Sequence, residues 1–250
     1  MSTDSAFTAT RRHFLTSAAA ISLVTVSTHV RAQSISGVLP WQPFAAEPPT
    51  PIGPQGWVFF TPAEAAAVEA IVDRLIPTDD LSIGGKEAGC AVFIDRQLAG
   101  SYGSSSRLYM KGPFLPGLPT QGYQGKETPA ARYREGLAAI DAYLRKTMNG
   151  RSFVHLNADE QDQFLKAMEA GKVDLGGGIN ATRLFDLILG NTMEGFFADP
   201  IYGGNRDMVS WKMIGFPGAR YDYRDRISKH NQRYPLGPVS IAGGRPEWSR

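Results

Sequence analysis

The stretch TPAEAAAVEAIVDRLIP, Thr61 to Pro77, decides the fold class. Thr61 offers a side-chain oxygen to the first turn. Pro62 fits the first helical position, where a backbone N–H would have no partner. Glu64 follows the threonine at the spacing of a capping box. Val68, Ile71, Val72, Leu75 and Ile76 then recur every three or four residues, which gathers them on one helical face. Pro77 cannot continue the helix and ends it.

The same grammar repeats outward from this segment. A second helix is expected from about Lys86 to Leu98, with Phe93, Ile94 and Leu98 inward. A third opens at Thr128-Pro129 and carries Tyr133, Leu137, Ile140, Leu144 and Met148 on one face. A fourth starts at Asn157, with Glu160 completing the cap, and buries Phe164, Leu165 and Met168. A fifth covers roughly Ala181 to Phe197, with Leu184, Phe185, Ile188, Met193, Phe196 and Phe197. There is no convincing strand alternation and no Asn-Gly hairpin. The expected fold is mainly α: a compact helical domain over residues 61–200, interrupted by a long irregular Gly/Pro/aromatic loop at 100–128. A Pro-rich extended arm over residues 33–60 precedes it, and a turn-rich segment over residues 201–250 follows.

The arm contains PWQPFAAEPPTPIGPQG, Pro40 to Gly56, with six prolines and no periodicity. Such a segment is extended. Trp41, Phe44 and Ile52 give it something to bury, so it reads either as a wrap around a neighbour or as a linker.

The front of the chain reads as an address. Arg11-Arg12-His13-Phe14-Leu15 precedes a modest apolar run from Ala18 to Val30, and Val30-Arg31-Ala32 offers a small-residue cleavage site before Gln33. That order matches a bacterial signal peptide over residues 1–32 of the twin-arginine type, with Arg11, Arg12, Phe14, Leu15 and Ala32 as its deciding residues. The run is too short and too polar for a transmembrane helix. The expected destination is the periplasm, reached through the twin-arginine translocation machinery.

The full chain carries 26 Lys/Arg and 24 Asp/Glu, a net +2. Without residues 1–32 the two signs balance at 23 each. The balance is uneven along the chain, because residues 201–250 hold nine basic and four acidic side chains. This asymmetry points to a partner-facing tail. Nucleic acid is not an expected partner, since the excess is small and no nucleic-acid motif accompanies it. The single Cys90 lies in an apolar run and reads as a small buried hydrophobe.

Cofactor chemistry is hard to find. Beyond the address there are two histidines, His155 and His230, which with one cysteine assemble no haem-attachment pair, zinc set or iron–sulfur set. The glycine runs match neither the dinucleotide fingerprint nor a phosphate loop, and there is no Gly-x-Ser-x-Gly elbow. Asp79 and Asp80 read as turn or cap residues. Glu194 reads as an acid paired with a nearby arginine. The expectation is no catalytic residue, cofactor or metal ligand in this chain.

Two segments look instead like contact surfaces. The loop at 100–128 spreads Tyr102, Leu108, Tyr109, Met110, Phe114, Leu115 and Tyr123 over irregular backbone, a distribution of aromatic residues common at interfaces. The alternative is a loop packed on its own helices. GGNRDMVSWKMIGFPGARYDY, Gly203 to Tyr223, sets a polar Asn205-Arg206-Asp207 group beside Trp211, Met213, Ile214 and Phe216, and Pro217-Gly218 turns the chain. The candidate interface residues are Tyr109, Phe114, Tyr123, Asn205, Arg206, Asp207, Trp211, Lys212, Phe216, Pro217, Arg220 and Tyr221.

Four motifs taken together resemble a known family. They are Arg11-Arg12, the Ile76-Pro77-x-Asp79 helix end, GPF-x-PG…QGY between Gly112 and Tyr123, and YGGNRDMVSWKMIGFPGARYDY from Tyr202 to Tyr223. The chain resembles the gluconate 2-dehydrogenase subunit 3 family, the small subunits of membrane-bound, flavin-dependent sugar and polyol dehydrogenases. The resemblance implies a three-part periplasmic enzyme. In it a large subunit holds FAD, with or without an iron–sulfur cluster, and oxidises the substrate. A multihaem cytochrome c subunit carries haem c and passes electrons to quinone. The small subunit binds and stabilises the flavoprotein and lends it an export signal. A different class of function, a self-sufficient periplasmic enzyme or sugar-binding protein, would instead gather Arg206, Asp207 and His155 or His230 in one pocket.

Overall fold

Six α-helices and no strand form among the described residues, 56–220 and 222–241 of a computed structural model. The signal peptide, the arm up to residue 55, Tyr221 and residues 242–250 lie outside the described residues. The helices are α1 (Pro62–Leu75), α2 (Cys90–Ala99), α3 (Pro129–Thr147), α4 (Ala158–Glu169), α5 (Ala181–Phe197) and α6 (Val209–Ile214).

The expected caps form. Thr61 Oγ1 accepts from Glu64 N at 3.3 Å, and Glu64 returns the bond to Thr61 N at 2.8 Å. Asn157 and Glu160 exchange the same pair of bonds at the start of α4. Thr128 and Asn180 cap α3 and α5. Each such cap contributes about 1 kcal/mol. α2 begins at Cys90 rather than near Lys86, because Gly89 takes the left-handed region at φ 85° and ends the preceding turn. The short α6 lies in the tail, where no helical repeat was long enough to announce it.

α5 is the spine of the molecule and touches each of the other five helices. Leu184, Phe185, Ile188 and Phe196 bury its inner face, while Met193 points outward, against the expectation that it would pack inside. The core gathers Val68, Ile71 and Val72 from α1, Ile94 and Leu98 from α2, and Tyr133, Ile140 and Leu144 from α3. Phe164, Leu165 and Met168 of α4 complete it. Each fully buried aliphatic side chain stabilises the fold by about 1.5–3 kcal/mol. Cys90 is buried in this core, and burial pushes its thiol up to about 12, in keeping with a small apolar role.

One acid has a structural task that its position in an apolar helix did not reveal. Asp95 of α2 is fully buried, and its carboxylate accepts from the backbone N–H groups of Val58, Phe59 and Phe60, each at 2.9 Å. The Arg96 guanidinium lies against it and also donates to Gly56 O at 2.8 Å. These bonds fix the chain where it enters α1. Arg134 of α3 closes the same corner by donating to Phe59 O and lying 4.2 Å from the Phe59 ring centroid.

Candidate functional site

The loop leaves α2 at Gly100 and is fastened at its base. Gly103 N donates to Gln97 O at 3.1 Å, and Ala130 N of α3 donates to Gly103 O at 3.0 Å. Tyr102 then reaches α5. Its hydroxyl sits 3.0 Å from Nδ2 of Asn191, whose Oδ1 also accepts from the fully buried Tyr133 hydroxyl at 3.1 Å. Burial holds the Tyr133 phenol well above its ordinary pKa, so it remains a proton donor. Further along, Tyr123 lies beneath the Arg132 guanidinium, 4.0 Å from ring centroid to carbon, and its hydroxyl bonds Glu127.

Between those fastenings the loop turns apolar side chains outward. Leu108, Tyr109, Phe114, Leu115 and Leu118 are all exposed, Tyr109 by 83%. Tyr102 and Tyr123 thus anchor the loop on the helices, while Leu108, Tyr109, Phe114, Leu115 and Leu118 between them face solvent. Phe114, Leu115, Leu118 and Tyr123 line a cleft of about 760 Å³ against Arg132, Arg183 and Leu187.

The tail begins at a crowded crossing. Gly204 passes so close to α5 that a Cβ on it would stand 2.1 Å from Gly195 O, and Gly203 adopts φ 96°. Asn205 follows in the left-handed region at φ 45° and is completely buried. Its Nδ2 donates to Ala198 O at 2.8 Å, and its Oδ1 accepts from Ser210 N at 3.0 Å and Ser210 Oγ at 2.8 Å. One side chain thus joins the end of α5 to the start of α6. Asp207 and Met208 also take positive φ, 57° and 55°. Such a conformation costs about 1–3 kcal/mol at a residue like Met208 and persists only where its surroundings enforce it. The result is a tight turn that presents Arg206 and Asp207 to solvent.

Trp211 is buried beneath this turn, donates its Nε1 to Phe197 O at 2.9 Å, and meets Phe216 edge-on at 5.1 Å between centroids. After Gly218 the chain runs out and returns. Ala219 N donates to Val239 O at 2.7 Å and Val239 N to Pro217 O at 3.2 Å. The Tyr223 hydroxyl donates to Gly218 O at 2.8 Å. Met213, Ile214, Phe216, Ile227 and Leu236 are exposed on this segment. A cleft of about 430 Å³ opens between Trp211, Lys212 and Phe216 on one side and residues 233–238 on the other.

The candidate interface residues divide by burial. Tyr109, Phe114, Tyr123, Arg206, Asp207 and Phe216 are exposed, and Lys212, Pro217 and Arg220 are half-buried. Asn205 is wholly buried, and Trp211 is buried except where it lines the tail cleft. Their work is internal: they hold the turn and α6 against α5. The residues that fasten these segments, Asn191 and Asp199, were not singled out in the sequence, although Asp-Pro at 199–200 is a turn signal.

The chemistry sought in the sequence does not converge. Asp79 accepts from Leu81 N and Ser82 N, a turn role as expected. Glu194 is exposed and accepts from Asn191 Nδ2 at 3.0 Å, and among the described residues it forms no ion pair with an arginine. His155 is exposed, with Nδ1 2.8 Å from Ser152 Oγ. A third cleft, of about 270 Å³, lies between Tyr123, Arg132 and the 177–180 turn. None of the three clefts is lined by Arg206, Asp207, His155 or His230. Among the described residues no group of three or more His, Cys, Asp or Glu gathers to hold a metal ion, and no helix is long and apolar enough to cross a membrane.

The sequence model of the family described as gluconate 2-dehydrogenase subunit 3 matches residues 62–218. The chain belongs to the gluconate 2-dehydrogenase subunit 3 family. The match runs from the first residue of α1 to the glycine at which the tail loop closes, so it spans the helical domain, the exposed loop and the strained turn. Membership in that family places the chain among the subunits of an oxidoreductase complex. Neither the curated proteins nor the solved structures contain a match to it.

Proposed function

We propose that this chain is the non-catalytic small subunit of a periplasmic flavin-dependent dehydrogenase acting on a sugar, sugar acid or polyol. It binds and stabilises the FAD-bearing large subunit through the 100–128 loop and the 201–241 tail. Its twin-arginine signal, with Arg11, Arg12, Phe14 and Leu15 read before cleavage at Ala32, carries the folded pair across the membrane. A multihaem cytochrome c subunit completes the complex at the membrane and takes the electrons.

One observation carries the reading. Among the described residues, thirteen of the seventeen exposed large apolar side chains fall in those two segments, and four fall elsewhere. A monomer gains nothing from apolar side chains held in water on backbone that is itself hydrogen-bonded to the core. A partner that covers them does.

The test is capture of the tagged chain from the native periplasmic membrane fraction, with flavin absorbance and sugar-dependent dye reduction read on the eluate. A roughly one-to-one complex with a larger flavoprotein is the expected result. A colourless chain eluting alone overturns the reading. Arg206→Ala and Tyr109→Ala test the site, each expected to weaken the complex by about 2 kcal/mol where it is a hot spot. Trp211→Ala is a poor probe, because the indole is buried within the chain.

A further inference from the structure

Charge in this chain is sorted by structure. The helical stretches, residues 56–99 and 129–200, carry eleven basic and seventeen acidic side chains, a net −6. The loop at 100–128 carries three basic and one acidic, and the tail at 201–241 seven basic and three acidic, together a net +6. The acids within the tail's closed loop are already matched: Asp222 pairs with Arg224 at 2.6 Å and Asp225 with Arg226 at 2.9 Å. Arg220 donates to Gly237 O, which spends none of its charge. Lys229 and Arg233 are exposed beside Ile227 and Leu236. Both cationic segments are seated on α5, the loop through Tyr102 and Asn191 and the tail through Trp211 and Phe197.

We infer that the surface covered by these segments on the partner is acidic, and that the tail steers the two subunits together. This inference rests on the subunit reading above. The same basic segments carry most of the exposed apolar side chains, so each supplies both long-range attraction and short-range burial. The attraction acts on the rate of encounter, and the apolar contacts on how long the complex lasts.

A cationic surface with exposed apolar side chains also suits an anionic membrane, but the backbone argues for a protein. Among the described residues from Gly215 to Ile241 the only regular structure is one 3-10 turn at Arg224–Arg226 and the isolated Gly218–Val239 bridge. Sinking Ile227 and Leu236 into hydrocarbon would strand the irregular backbone around them without hydrogen-bond partners. A protein surface can supply those partners.

The experiment compares the intact chain with the Lys229→Glu/Arg233→Glu variant, both at exposed sites, in association with the flavoprotein captured with it. For the intact chain the association rate should fall at least about tenfold between about 20 mM and about 300 mM salt. The variant should associate about tenfold more slowly at low salt and respond little to added salt, with dissociation changed less than about threefold. A rate independent of salt, or a variant as fast as the intact chain, overturns the inference and leaves the subunit reading standing. Failure to capture any flavoprotein overturns both. In a parallel arm the chain alone is floated with phosphatidylglycerol-containing vesicles. Flotation that the double variant abolishes, with flavoprotein association unaffected, assigns the surface to the membrane and overturns the inference.

Discussion

Ser240 donates its hydroxyl to Asp199 across 41 residues of chain, Oγ to Oδ1 at 2.7 Å, and the neighbouring Ile241 N–H meets the other carboxylate oxygen at 2.7 Å. Asp199 stands just beyond α5 and also accepts from Ile201 N at 3.0 Å. One carboxylate therefore turns the chain into the tail and receives it on its return. With the Gly218–Val239 bridge, it closes the tail into a loop on which Arg224, Lys229 and Arg233 are exposed.

Replacing this carboxylate, as Asp199→Ala, should open the tail without unfolding the helices. Buried donors left without an acceptor cost about 1–3 kcal/mol. Hydrogen exchange should accelerate at the Ala219 and Ile241 amides, and trypsin should cut at Lys229 and Arg233 sooner, while the helical signal is retained. Unchanged protection at both amides would show that the bridge alone holds the loop.

Asp95 makes a contrasting prediction, because it lies in the core. Asp95→Ala removes the acceptor of three backbone N–H groups and leaves the Arg96 guanidinium, only 12% exposed, without its carboxylate. Breaking a buried pair on one side costs about 3–5 kcal/mol. The urea midpoint should fall accordingly, and Asp95→Asn should recover part of the loss through its remaining amide oxygen. A midpoint shift under about 1 kcal/mol would mean that water replaces the carboxylate at this corner.

The difference between these acids and the caps explains what could be read in the sequence. Thr61, Asn157 and Thr128 act on residues three positions away, so their pattern is local and visible. Asp95 acts on residues 35–37 positions earlier and Asp199 on residues 41–42 later, and no local pattern encodes such a reach. The apolar stripes likewise predicted α3, α4 and α5 well, because a helix repeats its inward face. The strained turn had no repeat to offer. Its glycines signalled unusual backbone, but only the crossing with Gly195 shows why Asn205 and Trp211 are internal fasteners and why Arg206 and Asp207 are left outside.

Asn191 links the loop to the core, and a double-mutant cycle with Tyr133 measures that link. Tyr133→Phe removes one hydroxyl bond and should cost about 1 kcal/mol. Asn191→Ala should cost more, since it leaves the fully buried Tyr133 hydroxyl unpaired and frees Tyr102. In the Asn191→Ala background Tyr133→Phe should then cost little or even stabilise. Simple additivity, within about 0.5 kcal/mol in denaturant unfolding, would mean the three groups do not act together.

The surface ion pairs set a pH dependence whose sign is fixed. Glu160 is held below its ordinary value of 4.5, first by the hydrogen bond from Arg151 and then by the Asn157 N–H. Asp162 is held below 3.8, chiefly by Arg74, whose Nε lies 2.7 Å away. A carboxylate lowered on folding contributes stability that is present above its unfolded value and lost as pH falls through its folded value. Both pairs are exposed enough for solvent and salt to screen them, so the effects are small. Arg151→Met and Arg74→Met should each lower the melting temperature near neutral pH, with the gap to the intact chain closing as pH drops below about 4.5 and about 3.8 respectively. Thermal melts from about pH 7 to about pH 2.5 test this. A gap that stays constant or widens in acid would assign the loss to the packing of the arginine stems instead of to their charge.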